Sequence, residues 1–226
     1  MLYSFEFGDV IEAWPALVSG AANTLWLSAV SVLLGVVVAA SGATAKTLGS
    51  RAVRFLVDCY IELIRNTPFL VQVFLIFFGL PAIGLKMSPN VAAVTAMVVN
   101  FAAYGIEIIR AGIESIPKGQ IDAGKALGLG PFKIFRLVVF KPALQAVYPA
   151  LTSQMILLML NSSICSAIAA TELTAVAGDI QSRTFRSFEV YSVVTAMYFG
   201  LSIFFWCVFA AVNSMLFKAG PRGAAR

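Results

Sequence analysis

Apolar residues in this chain come in long blocks of about 20 residues or more, where a soluble core would use short alternating groups. Five stretches stand out, at about residues 16–45, 55–80, 90–110, 144–170 and 190–217. The fourth is interrupted by Asn161, Ser162 and Ser163 but is otherwise apolar. Each is long enough to cross hydrocarbon as a helix, some with tilt. Lipid offers no partners to backbone N–H and C=O groups, so spans must be helices or closed barrels. A barrel needs alternating strands of about ten residues, and the sequence has none. Charge agrees with lipid as the solvent: 12% of the 226 residues are charged, about half the share in an average soluble domain. The expectation is an all-α integral membrane protein with five transmembrane helices in a single domain over residues 1–226.

Basic residues set the orientation. With the N-terminus outside, the inner segments hold Lys46, Arg51, Arg54, Arg110, Lys118, Lys125, Lys133, Arg136, Lys141, Lys218, Arg222 and Arg226. The outer segments hold Lys86, Arg183 and Arg186, and Arg65 falls within the second span. That bias predicts a periplasmic N-terminus and a cytoplasmic C-terminus. The first residues include Glu6, Asp9 and Glu12, whereas the leading region of a cleaved signal peptide is basic, so no cleavage is expected. The net charge of +5 sits in the loops that this rule demands, without an aromatic–basic platform, so nucleic acid is not an expected partner.

Several chemistries lack their residues. The chain has no histidine, the commonest general base near neutral pH and the commonest metal ligand. The nearest approach to a nucleotide-binding loop, Gly42-Ala43-Thr44-Ala45-Lys46-Thr47, lacks the glycine before lysine and ends an apolar span. Cys59, Cys165 and Cys207 are far apart in apolar segments and read as small buried hydrophobes. No catalytic residue, metal site or resident cofactor is expected. In the first span, Ser31, Gly35, Ala39 and Ala43 repeat every four residues, a stripe that lets another helix approach closely.

One sizeable inner segment is expected, at about residues 111–143, between the third and fourth spans. It reads Ile116-Pro117-Lys118-Gly119-Gln120-Ile121-Asp122-Ala123-Gly124-Lys125-Ala126-Leu127-Gly128-Leu129-Gly130. Pro117 and Gly119 break the preceding helix, and residues 120–127 can make about two turns. Gly128 and Gly130 can then end them in the left-handed conformation, with a second helix starting at Phe132. Ile121 and Leu129 offer apolar contacts, while Asp122, Lys125 and Lys133 stay wet.

This segment resembles the cytoplasmic coupling loop of bacterial ABC importer permeases, which carries Glu-Ala-Ala, three residues, then Gly. Here Asp122-Ala123-Gly124 is followed by Gly128 at that distance, with Asp for Glu and Gly for the second Ala. The family's Ile-x-Leu-Pro after nine more residues is replaced, with Val138, Phe140 and Lys141 in those places and Pro142 displaced by one. Tyr60-Ile61-Glu62-Leu63-Ile64-Arg65-Asn66-Thr67-Pro68-Phe69-Leu70-Val71-Gln72 is similar to the second-span signature of the polar amino-acid branch. So is Ala103-Tyr104-Gly105-Ile106-Glu107-Ile108-Ile109-Arg110-Ala111-Gly112-Ile113, with Asn23-Thr24-Leu25-Trp26-Leu27 and Thr171-Glu172-Leu173 in the same order. The resemblance implies a type I importer fold and a coupling site at Gln120, Asp122, Ala123, Gly124, Lys125, Ala126, Leu127, Gly128 and Leu129. It also implies a second permease subunit, identical or related, and ATPase subunits that bind the ATP and Mg. A periplasmic substrate-binding protein and the bacterial inner membrane complete the expected surroundings. The cargo would be polar L-amino acids or relatives such as opines. The alternative reading is a gradient-driven secondary transporter or channel.

Ionisable residues in hydrocarbon are costly unless paired or facing water. Glu62 with Arg65, and Glu107 with Arg110, are each three apart and can meet on one helix face. Candidates for a translocation path are Glu62, Asn100, Tyr104, Glu107, Gln154, Asn161, Ser162 and Ser163, each equally able to bond helix to helix. Glu172, Asp179, Arg183 and Arg186 either dock the binding protein or form a solvated face.

Overall fold

The computed structural model describes residues 4–217, and within them all regular structure is helical. Lys218, Arg222 and Arg226, counted above for orientation, lie outside the described residues. After a short α1 (Gly8–Glu12), α2 runs for 35 residues from Trp14 to Leu48, with Pro15 in its first turn where a missing N–H costs nothing. At 1.5 Å per residue, α2 is longer than a bilayer core and must tilt or protrude. α3 (Arg51–Arg65) and α4 (Phe69–Ala82) follow, then α5 (Pro89–Glu114), α6 (Lys118–Ala126) and α7 (Pro131–Ile168). α8 (Leu173–Thr184) and α9 (Ser187–Leu216) complete the described chain.

The centre of the bundle is the packing of α2 against α5. The stripe expected in the first span is buried as a unit: Ser31, Gly35, Ala39 and Ala43, extended by Gly20, Thr24 and Ser28. At the crossing, a Cβ placed on Gly105 would lie 2.7 Å from the Ala39 methyl, so the two backbones are close enough to require glycine. The Ser28 hydroxyl donates to the Thr24 carbonyl at 2.7 Å, while the Ser31 Oγ is the one buried side-chain polar atom without a partner among the described residues. An unpaired buried hydroxyl costs free energy. Ser31→Ala is therefore expected to stabilise the bundle by about 1 kcal/mol, read as a higher midpoint of thermal unfolding in detergent.

The second span differs from expectation. Residues 55–80 do not form one straight helix: α3 and α4 meet at 110°. Thr67 precedes Pro68 and is driven out of the helical region, and Pro68 has no N–H to continue the ladder. α4 itself loosens into a π-helical turn over Leu75–Gly79. Among the described residues, four helices are long and apolar enough to cross a membrane, and the bent pair supplies a fifth crossing if it counts as one span.

Two other boundaries move. α5 continues to Glu114, and α7 starts at Pro131 and runs without a break into the fourth apolar stretch, so the segment between long helices covers only residues 115–130. Asn161, Ser162 and Ser163 do not end α7. The helix tightens to 3-10 geometry over Ser162–Ile168 and stops at Ala169, which is left-handed (φ 58°). Of the cysteines, Cys165 is buried as expected but Cys59 and Cys207 are exposed on the faces of α3 and α9. An apolar side chain that faces lipid has no need of a protein interior.

Candidate functional site

Three polar constructions stand out from the apolar bundle. The first holds the break between α3 and α4. Gln72 is buried, and its Nε2 donates to the Ile64 carbonyl (2.7 Å), the Thr67 carbonyl (3.0 Å) and the Thr67 hydroxyl (2.9 Å). The two carbonyls lie at the break in the helical ladder, and the Gln72 amide shares its two N–H groups among them and the Thr67 hydroxyl. The Gln72 Oε1 accepts in turn from Asn100 Nδ2 on α5 at 2.9 Å. Asn100, a candidate for the path, thus holds the hinge. Gln72→Leu would leave the freed carbonyls and the Asn100 amide unpaired in an apolar core, costing about 1–3 kcal/mol. The double change Gln72→Leu with Asn100→Leu removes the orphaned amide and should recover part of the loss in the same melting measurement.

The second construction is an ion network where α2, α3 and α5 meet. Lys46 Nζ sits 2.6 Å from Asp58 Oδ1 and 2.7 Å from Glu107 Oε1. The Glu107 Oε2 accepts from Arg110 at 2.9 Å, and Arg110 also reaches Glu114 at 2.5 Å. The pairing expected between Glu107 and Arg110 is therefore present, inside a larger chain of charges. The pairing expected between Glu62 and Arg65 is not. Glu62 accepts from Asn66 Nδ2 at 2.8 Å, while the Arg65 guanidinium lies over the Tyr104 ring, 5.4 Å from its centroid. Arg65, Glu107 and Arg110 border a groove whose other walls include Gly112, Ser115, Ala146 and Ala150.

The third is the elbow between α5 and α7. Pro117 precedes the first turn of α6, and Gly128 ends it at φ 72°. The Leu129 N–H donates to the Gly124 carbonyl (3.1 Å) and the Gly128 N–H to the Lys125 carbonyl (2.9 Å), the paired bonds of a Schellman ending. Gly130 differs from expectation: it is extended (φ −67°, ψ 161°) and precedes Pro131 at the start of α7. Proline fixes the following turn and disfavours a helical residue before it, which accounts for that extended backbone. A small core of Ile116, Ile134, Val139 and Ala143, with Ile121 and Leu129 packed against it, fixes α6 to the base of α7. Gln120, Asp122, Ala123, Lys125, Ala126 and Leu127 face away from that core, and Gly124 is buried. Lys125 and Asp122 pair at 2.9 Å on the surface. Leu127 (80% exposed) and Phe132 (73%) project outward beside them.

The remaining candidates are scattered. Gln154 is half-buried on α7. The Ser162 and Ser163 hydroxyls each donate to a carbonyl three residues back, at 2.7 Å, in the same helix as Asn161. Glu172 is fully buried, which excludes a solvated face for that residue. It caps α8 through Thr174 N–H (2.8 Å) and Ala175 N–H (2.6 Å) and accepts from the Tyr198 hydroxyl at 2.7 Å. Burial pushes its carboxyl above the usual range, against the downward pull of those hydrogen bonds. Asp179 and Arg183 pair with each other on the exposed side of α8. Sequence reasoning did not find Lys46, Asp58 or Gln72 as site residues. Lys46 and Glu107 are 61 residues apart, and no periodicity within a helix reports a partner on another.

A polytopic helical membrane protein with a wet, glycine-turned elbow is the class that this geometry defines. Residues 31–218 match the family described as binding-protein-dependent transport system inner membrane component. The chain is 38% identical to the nopaline transport system permease protein NocM of Agrobacterium fabrum, over 84% of this chain and 83% of that protein. It is 35% identical to the glutamine transport system permease protein GlnP of Escherichia coli, over 86% and 90%. A crystal structure of an amino acid ABC transporter with histidines superposes with a TM-score of 0.87 at 33% identity, covering 94% of this chain and 100% of that one. The chain belongs to the family of binding-protein-dependent transport system inner membrane components. It is an ABC importer permease subunit and not an enzyme, a reading favoured over the gradient-driven carrier or channel.

Proposed function

We propose that this chain is the transmembrane subunit of an ATP-driven importer for polar L-amino acids or opine-type conjugates in a bacterial inner membrane. The observation that carries this reading is the elbow: a short helix tied to the base of α7 by a small apolar core, with Leu127 at its end and Phe132 in the first turn of α7 both exposed. Relatives named for nopaline and for glutamine transport supply the substrate class. In the proposed assembly, the elbow end faces the cytoplasm and docks on an ATPase subunit that carries ATP and Mg. Residues 120–129 form the contact, the N-terminus is periplasmic, and α8 faces a periplasmic substrate-binding protein. A second permease subunit, identical or related, completes the pathway between two such bundles. ATP-driven closure of the motor draws the elbows together and rocks the spans between outward and inward openings.

The test is uptake by proteoliposomes holding this permease, its ATPase and its receptor, with a panel of labelled polar amino acids and opines. Uptake should need ATP and stop when the ATPase is omitted. Uptake driven by an ion gradient without the ATPase would overturn the reading. Leu127→Asp with Phe132→Asp should cut uptake and ATPase copurification at least tenfold by placing unpaired charge at the centre of an apolar contact. The thermal stability of the isolated permease should stay unchanged, since both side chains are exposed in it.

A further inference from the structure

Arg65 stands apart from the other cations around the groove between α5 and α7. Lys46 is held by two carboxylates and Arg110 by two. Among the described residues, no carboxylate lies within ion-pair distance of Arg65; its neighbour Glu62 is engaged with Asn66. What Arg65 meets is the face of Tyr104, a contact that consumes none of its N–H donors. The side chain borders a groove of about 470 Å³ whose walls Gly112, Ser115, Ala146 and Ala150 are small. It leaves α3 in the last turn, where a helix end favours a cation.

A guanidinium with unspent donors suits a planar oxyanion, which it can bind through two parallel hydrogen bonds. Two sources of such an anion exist in a membrane: the carboxylate of a translocated solute and the phosphate of a lipid. The ring contact holds the exposed side chain against α5 at the border of the groove, whereas an arginine serving the headgroups would extend away from the bundle. Small walls leave room for the rest of a solute beside the anchor.

We propose that Arg65, positioned by Tyr104, is a binding residue for the α-carboxylate of the transported solute at the elbow end of the pathway. This inference rests on the amino-acid importer reading above. Glu107 and Arg110, which border the same groove, already pair with each other, so Arg65 supplies the charge that selects for a carboxylate.

The experiment uses the complete importer in lipid nanodiscs without nucleotide, with radiolabelled L-arginine and L-glutamine as probes and L-argininamide and L-glutaminamide as carboxylate-free competitors. Wild type should bind at least one of the two amino acids and discriminate against its amide. Arg65→Gln should weaken binding by about tenfold to a hundredfold, the loss of a charge-assisted contact, and should abolish discrimination against the amide. Tyr104→Leu, which removes the ring that Arg65 packs against, should lose part of the discrimination. A merely structural Arg65 would change stability and leave the acid-to-amide ratio alone, and that result overturns the inference. So does an Arg65→Gln variant with intact amino-acid binding that has lost only phosphatidylglycerol retention in native mass spectrometry, which would give the anion to lipid. Wild type binding neither amino acid also overturns it, and the uptake assay then decides separately whether the importer reading stands.

Discussion

Replacing Gly112 by valine is expected to abolish recovery of folded permease, and replacing it by alanine to lower its stability by about 1–3 kcal/mol. Gly112 lies in the last full turn of α5 before the elbow and is buried against α7. A Cβ added there would meet Val147 Cγ1 at 2.0 Å and the Ala143 carbonyl oxygen at 3.1 Å. The first contact can be relieved by turning the Val147 side chain. The second is with backbone, so relief requires α5 and α7 to part. These two helices carry the two ends of the elbow, and their close approach holds it firmly at both ends. The measurement is the fraction of monodisperse permease after extraction, with the unfolding midpoint for the alanine variant. Val147→Ala alone should destabilise by leaving a small void, while Gly112→Ala with Val147→Ala should be more stable than the sum of the single changes predicts. A Gly112→Val protein as abundant and stable as wild type would mean that α5 and α7 are not held together here.

The sequence made some of this architecture legible and concealed other parts, for physical reasons. The α2 stripe could be read because the four-residue repeat of Ser31, Gly35, Ala39 and Ala43 is a property of one helix. The elbow could be read because Pro117 and Gly128 act on their own backbone, and the Schellman bonds at Gly128 are local. The break between α3 and α4 was also signalled locally, by Pro68. It went unread because the apolar run continued on both sides, and hydropathy does not sense a change of direction. The contacts that make the site polar are different in kind. Gln72 with Asn100, Lys46 with Glu107, and Arg65 with Tyr104 each join separate helices. Which of several polar residues meet across a bundle depends on helix rotation and crossing, and neither is written in the period of a single helix. For that reason spacing alone pairs Glu62 with Arg65, whereas in the bundle the Arg65 guanidinium meets Tyr104 on α5 and Glu62 bonds Asn66.

Gly128→Val is expected to reduce uptake and ATPase copurification at least tenfold while leaving the unfolding of the membrane bundle unchanged. Gly128 has φ 72°, a region that costs an L-residue about 1–2 kcal/mol and a β-branched residue more. Beyond its two chain neighbours, no atom lies within 4 Å of where its Cβ would be, so an added Cβ enters open space. The penalty is therefore conformational. It falls on the turn that releases the Gly128 and Leu129 N–H groups to the Lys125 and Gly124 carbonyls. A valine escapes the strain by unwinding the end of α6, and Leu127 and Leu129 then lose their fixed relation to the α7 base. Asparagine tolerates the left-handed region because its short side chain bonds locally, so Gly128→Asn should retain most of the uptake, with Gly128→Ala in between. The order Gly, Asn, Ala, Val follows backbone cost and not side-chain volume, which separates a conformational requirement from simple crowding of the partner surface. If the valine variant transports as wild type does, the glycine turn is not what fixes the lever, and coupling must run through another part of the inner surface.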